Sequence, residues 1–325
     1  MCSPIYVNEL ERRRIAAYGA SFRKATNSPF GDRDEIGMLN LIDAQSRDAI
    51  MSRADASKVF DLAVDYFVGM PSWDKAGDPS YQIWMTHTPR GEETDDKMGV
   101  GPEVNRLVSY SGDAISMYTH CGTHIDTLAH FGYNGEIFNH YKAADHIGSR
   151  TWNCCGADKH PPIIARGVLL DLAAMHGVEE LPEAMGINPK DIDDCIKHQG
   201  TELAVGDVIL LRTGRMSAAW PDPGRYMHNP PGLTRDGAAY LCHAGALMIG
   251  SDTHTVEQAP SADPENWLPV HTYMLCEAGV PLIEIVNLEE LSAAKLYEFA
   301  FFGACLKLRG ATGSPMRPVA MPLRK

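Results

Sequence analysis

The sequence predicts an α/β fold built on a mixed sheet, and three observations predict it. Short apolar runs of buried-strand type recur along the chain, helical patterns separate them, and the N-terminal half adds aromatic-rich strands with partial alternation. The 325 residues read as one domain, 1–325, with a helical N-terminal extension over about residues 1–55.

The elements follow in order. Residues 8–24 read as an amphipathic surface helix. A polar turn then leads into an apolar stretch, and Asp43 is placed to cap a helix running to about Arg53. Lys58–Tyr66, Ser80–Thr88 and Asp113–Asp126 are strand-like, rich in β-branched and aromatic residues. Ile163–Leu172, Gly206–Thr213 and Ala246–Ser251 have the continuous apolar character of strands buried on both faces. Helical patterns cover Pro189–His198, Thr234–His243 and His271–Ala278, the last running into the strand-like PLIEIV. Strand patterning returns from Tyr297 to the Gly/Pro-rich ending.

Composition narrows the function. There are 42 acidic side chains against 29 Lys plus Arg, a net charge of −13, which disfavours nucleic acid or an anionic membrane as partner. A small-molecule substrate is expected instead. No run approaches the ~18 apolar residues of a membrane span, and the N-terminus lacks a signal-peptide core, so the expected location is the cytoplasm. None of the eight cysteines forms a C-x-x-C pair, which argues against a zinc ribbon or a thioredoxin-type motif.

The 13 histidines are the unusual feature, and five of them fall between His120 and His146. The dense stretch is His120-Cys-Gly-Thr-His124-Ile-Asp126-Thr-Leu-Ala-His130. On a strand, residues two apart share a face, so His120, His124, Asp126 and His130 match in parity. In a straight strand His120 and His124 would lie about 13 Å apart, at roughly 3.3 Å per residue. Two imidazoles could barely share an ion across that gap, so the chain must bend, and Gly122 is the residue that permits it. Two imidazoles and a carboxylate form a catalytic-type ligand set that leaves positions open for water and substrate. The set suits Zn²⁺, Mn²⁺ or Fe²⁺ alike. Cys121 has the opposite parity and is a poor ligand candidate.

The stretch resembles the cyclase family, which includes bacterial kynurenine formamidases, isatin hydrolases and trans-dienelactone hydrolases. The family signature His-x-Gly-Thr-His-x-Asp-x-x-x-His is matched by His120, Gly122, Thr123, His124, Asp126 and His130. Flanking stretches fall in family order, among them Asp34–Ile42, Asp61–Asp74 and the ending TGSPMRPVA. The resemblance implies a compact swivelling β/β/α-type fold, commonly a homodimer. It implies a divalent metal, Zn²⁺ or Mn²⁺, held by His120, His124 and Asp126, with His130 as catalytic base or acid. In dinuclear members a later histidine and glutamate hold a second metal, and the best matches are His271 and Glu284. Their spacing is one residue longer than in the short formamidases, and Leu128 stands where many members carry proline.

The expected activity is metal-dependent hydrolysis of an amide (formamide, lactam or imide) or a lactone by activated water. The alternatives are a metal-dependent cyclase or dehydratase, and a non-catalytic metal- or ligand-binding protein. An iron oxygenase is more distant. Trp73, Trp84, His87, Asp252 and His254 are substrate-binding candidates. The two tryptophans and His87 follow or occupy aromatic-rich segments, and Asp252 and His254 follow a buried strand, where α/β proteins place site residues. Arg212 and Arg215 are candidates for meeting a carboxylate product.

Overall fold

A computed structural model describes residues 23–324. Its strands, in chain order, are β1 (Phe60–Asp61), β2 (Gln82–His87), β3 (Gly112–Ser116), β4 (His124–Asp126), β5 (Ile163–Asp171), β6 (Gly186–Ile187), β7 (Val208–Arg212), β8 (Gly232–Leu233), β9 (Met248–Ser251), β10 (Leu282–Glu284), β11 (Glu298–Gly303), β12 (Gly313–Pro315) and β13 (Val319–Pro322). Nine of them form one sheet in the order β1-β13-β11-β5-β7-β9-β10-β4-β12. The central run β5-β7-β9-β10 is parallel, and the flanking pairs are antiparallel. The mixed α/β architecture expected from sequence is the one observed.

The continuous apolar runs are explained by burial on both sides. In β5, Val168 and Leu170 join the core cluster beneath the helices, while Leu169 joins the cluster on the opposite face. Ile209 and Leu211 alternate with Val208 and Leu210 in the same way. Helix Pro189–Gln199 is set by a capping box between Asn188 and Asp191, and Thr234 caps Arg235–His243. Both helices contribute to the first cluster, Ile192 and Cys195 from one and Leu241 from the other. Each fully buried Leu or Ile contributes about 1.5–3 kcal/mol.

The expected helix over residues 8–24 lies, up to residue 22, outside the described residues. Beyond it, Asp43 caps Ala44–Met51, and its carboxylate and the Ser46 hydroxyl exchange bonds with each other's backbone. Two strand readings were too long. Of Lys58–Tyr66 only Phe60–Asp61 pairs, because the chain then leaves the sheet edge toward Thr123, whose Oγ1 accepts from the Val64 amide at 3.0 Å. Asp113–Asp126 is two strands, β3 and β4, parted by a turn over residues 119–123 and belonging to different sheets. The helix expected over His271–Ala278 is a π-helix at Thr272–Ala278, entered through one turn at Pro269–His271. Such segments are rare and are frequent at functional sites. No helix among the described residues is long and apolar enough to cross a membrane.

Candidate metal centre

The site forms where β4 lies between β10 and β12. Register places Glu284 directly across from His124, and Leu282 across from Asp126. Alternation therefore puts His124, Asp126 and Glu284 on one face of the sheet, while Ile125 and Ile283 pack into the core on the other. Glu284 is thus brought to the cluster by a cross-strand pairing. His271 arrives from the single turn that precedes the π-helix.

His120 reaches the same point by the bend expected at Gly122. That residue has φ +61°, and a Cβ there would stand 2.3 Å from the Tyr66 ring. The turn carries His120 back over β4, so that its Nδ1 lies 2.5 Å from Asp126 Oδ1. Room for the ring is left by Gly313, whose Cβ would meet it at 2.4 Å.

The ligand-type atoms converge in two overlapping groups. His120, His124 and Asp126 form one, and Asp126, His271 and Glu284 form the other, with the atoms of each within 4.8 Å of one another. His124 Nε2 lies 3.3 Å from Asp126 Oδ1 and 3.4 Å from Glu284 Oε2. His271 Nε2 lies 3.2 Å from Glu284 Oε1 and 3.6 Å from Asp126 Oδ2. Asp126 belongs to both groups.

Hydrogen bonds on the far side of the rings fix their tautomers. His124 Nδ1 donates to the Gly122 carbonyl at 2.8 Å, and His271 Nδ1 to Glu257 Oε1 at 2.6 Å. In each ring Nε2 is left with a lone pair facing the cluster. His124 Nε2, Asp126 Oδ2 and Glu284 Oε1 are buried without a hydrogen-bond partner. Buried polar atoms are almost always satisfied, so three orphans aimed at one point match a divalent cation. The electrostatics agree. Burial opposes a charged ring at His124, yet Asp126 and Glu284 outweigh it and push its pKa up to about 10. Burial likewise opposes charge on His271, but Glu257 and Glu284 hold it well above the ordinary imidazole value. Asp126 is held well below the carboxylate range, because the His120 and His130 charges overcome its burial. The carboxylates favour positive charge at this point, which a divalent ion would supply while leaving the imidazoles neutral.

His130 stacks on His120 with ring centroids 3.8 Å apart, and its Nε2 is 4.0 Å from Asp126 Oδ2. Burial first, and then the neighbouring His120 charge, push it well below the usual imidazole value. It stands at the edge of the cluster, its Nε2 placed beside the shared carboxylate. Its side chain keeps 18% exposure, the only member of the motif with an outlet to solvent.

The substrate-binding candidates part company. Trp73 packs edge-on against His254 at 5.2 Å and borders a cavity of about 310 Å³ with Met70 and Met227. Asp252 is buried and bonded to the Thr213 and Gly214 amides and the Thr213 hydroxyl, so its carboxylate anchors a turn. Trp84 and His87 lie on the separate β2–β3 hairpin. There His87 pairs with Glu92, and Trp84 is half exposed. Neither has a hydrogen bond, ion pair or ring contact with the cluster among the described residues. Arg212 is occupied by Asp171 and Glu289, and Arg215 by Glu180 and the Arg225 and His228 carbonyls, so both serve the scaffold. Cys121 turns away, its thiol on the Tyr118 carbonyl at 3.1 Å.

Four neighbours were not singled out from sequence. Glu257 orients His271. Tyr118 lies 4.9 Å from the His120 ring. Phe131 touches both His130 and His271, at 4.6 and 5.1 Å, and Trp267 stands 5.9 Å from Phe131 with 72% of its surface exposed. Only position beside His130 in the motif could have pointed to Phe131. Tyr118 stands two residues before His120 and shares its parity, whereas Glu257 and Trp267 lie at distances along the chain that periodicity does not link.

Comparison with known proteins bears on the family and the fold. The cyclase family profile matches residues 60–258. Cyclase-like protein 3 of Oryza sativa subsp. japonica is 23% identical over 264 residues, 80% of this chain and 78% of that protein. A crystal structure described as a novel cyclase superposes with a TM-score of 0.78 at 25% identity, covering 90% of this chain and 95% of that one. Isatin hydrolase A from Labrenzia aggregata, bound to benzyl benzoate, superposes with a TM-score of 0.60 at 19% identity, covering 82% and 93%, a likeness of fold. A family profile spanning more than half the chain, on a matching fold, places this protein in the cyclase family.

Proposed function

We propose that the protein is a metal-dependent hydrolase that uses activated water to open an amide (formamide, lactam or imide) or a lactone. One observation carries this reading: the unpartnered His124 Nε2, Asp126 Oδ2 and Glu284 Oε1 converge beside the partly open His130. His120, His124 and Asp126 would hold a divalent ion, Zn²⁺ or Mn²⁺, and Asp126, His271 and Glu284 offer a second set around the shared carboxylate. When bound, the ion supplies hydroxide at neutral pH and polarises a carbonyl.

The rest is done by the side chains. Glu257 holds His271 in the tautomer whose Nε2 faces the cluster. His130, within 4.0 Å of Asp126, takes the water proton and returns it to the leaving nitrogen or oxygen. Its stacking on His120 fixes its plane. Phe131 walls off one side of the reacting region, and Trp73 with His254 another.

The cytoplasm is the proposed compartment. A homodimer is the proposed assembly. It is supported by the β2–β3 hairpin and the segment between its strands, where Trp84, Met98, Leu107 and Ile115 are among the exposed apolar side chains. Light scattering at micromolar protein tests it, and a monomer would remove it. The activity is tested by loading the protein with zinc or with manganese and offering kynurenine-type formamides, isatin-type lactams and dienelactones. Turnover that needs metal and incorporates labelled water supports the reading. Bound metal without turnover on any of the three types defeats it in favour of a binding protein.

A further inference from the structure

We propose that Thr312 is a positioning residue that makes His120 offer Nδ1 to the metal, where His124 and His271 offer Nε2. The inference rests on the metal centre of the hydrolase reading and adds to it a residue from the far end of the chain. His124 and His271 turn Nδ1 away from the cluster, to the Gly122 carbonyl and to Glu257. His120 is turned the other way round. Its Nδ1 lies 2.5 Å from Asp126 Oδ1, and the same oxygen lies 3.3 Å from His124 Nε2. Its Nε2 points outward, 3.0 Å from Thr312 Oγ1. Of the three rings, this one alone has a side-chain hydroxyl behind it.

Thr312 is itself held by the motif it serves. Its carbonyl accepts from the Thr127 amide at 2.9 Å and the Thr127 hydroxyl at 3.0 Å, and the next residue, Gly313, pairs with Asp126 across β12 and β4. A Cβ on Gly313 would stand 2.4 Å from His120 Cε1 and 2.7 Å from each ring nitrogen, so the backbone there lies close against that edge of the ring. His130 stacks on the ring with planes 23° apart. These contacts fix the plane of the imidazole. They do not decide which nitrogen carries the hydrogen, and the partner of Nε2 does. A hydroxyl that accepts from Nε2–H leaves the lone pair on Nδ1, where the ligand-type atoms converge. A half-turn of the ring about Cβ–Cγ would put carbon against both Thr312 Oγ1 and Asp126, and so would forfeit both bonds.

The test uses the full-length protein, carrying isotopically labelled histidine and loaded with zinc. Long-range proton–nitrogen spectra read which nitrogen of each ring holds the hydrogen, and the His120 signals are assigned by their loss in His120→Gln. His120 should hold its hydrogen on Nε2, and His124 and His271 on Nδ1. Thr312→Val keeps the branched shape and the carbonyl but not the hydroxyl. It should weaken zinc binding about 10- to 100-fold in competition against a chelator, and the single His120 tautomer should be lost. Thr312→Ser should restore both, and melting of the metal-free variants separates binding from folding. A hydrogen on Nδ1 of His120 in the zinc-loaded wild type, or wild-type zinc affinity in Thr312→Val, overturns the proposal. Failure of the hydrolase reading looks different. Zinc bound without turnover defeats that reading and leaves the Thr312 assignment to the spectra, whereas a wild type that takes up no zinc overturns both.

Discussion

Replacing Glu257 by glutamine should weaken divalent-metal binding about tenfold, and replacing it by alanine about 100-fold. The difference follows from what the carboxylate does. Glu257 Oε1 accepts from His271 Nδ1 at 2.6 Å and from the His271 amide at 3.0 Å, and Oε2 accepts from the Val270 amide at 3.2 Å. Glutamine keeps the Oε1 acceptor, so the ring keeps its tautomer, but the charge is lost and the Val270 amide faces an NH2 group in place of its acceptor. One decade of affinity is about 1.4 kcal/mol. Alanine removes the orienting bond and leaves buried donors unpaired, at about 1–3 kcal/mol for each one that water does not reach. The metal-free alanine variant should therefore also melt lower, by about 2–4 °C per kcal/mol for a chain somewhat smaller than this one. Competition titration against a chromophoric chelator measures the affinities, and calorimetric melting of the metal-free proteins separates stability from binding. If both variants bind zinc and manganese as the wild type does, His271 is not a ligand and the second group of the centre is a structural network.

Other outcomes follow from the same geometry. Asp126→Ala, which removes the carboxylate shared by both groups, should lose metal and turnover together, measured by elemental analysis and the hydrolysis screen. His130→Ala should keep its metal and lose turnover by about 10²–10⁴-fold, the range of a general base, and a metal-free His130→Ala protein would refute the assigned role. Gly122→Ala puts a methyl group 2.3 Å from the Tyr66 ring at a backbone φ of +61°, so denaturant unfolding should show a loss of about 2–4 kcal/mol. Burial pushes His160 down to about 4, and neither ring nitrogen has a partner. An unfolded histidine titrates near 6.5, so the unfolded chain binds more protons between these values. Its contribution is then complete above about pH 6.5 and falls by up to about 1.4 kcal/mol per pH unit toward pH 4. His160→Leu should flatten that slope in denaturation series at pH 7, 6 and 5.

The part of the centre that could be read from sequence is the part whose geometry is local. His120, His124, Asp126 and His130 fall within 11 residues, and the distance that a straight strand would impose identified Gly122 as the bend. Glu284 and His271 came only from the family resemblance, because strand register and the turn before the π-helix bring them in from about 150 residues away. Glu257 escaped notice for a related reason. It is an acidic residue in a loop, and nothing in the spacing to His271 says that the chain folds back on itself there. Trp84 and His87 show the opposite failure. Aromatic content marked a strand correctly, but composition does not say which sheet a strand joins, and β2 pairs with β3 apart from the nine-stranded sheet. Buried strands such as β5 and β7 were legible throughout, since burial on both faces leaves an unbroken apolar run that few other structures produce.

The pairing of β12 with β4 carries a consequence for biosynthesis. His120 is braced by Thr312, 192 residues later, and the adjoining Gly313 pairs with Asp126. A ribosome that has just released the histidine motif must add all of those residues before the pocket can close, which takes about 10–40 s at ordinary elongation rates. For that interval the nascent chain exposes imidazoles and a carboxylate with no enclosing wall. If the cluster holds a metal as proposed, its full ligand geometry forms only after Thr312 is made, and a chain stalled or cleaved before Thr312 should bind metal less selectively than the complete protein.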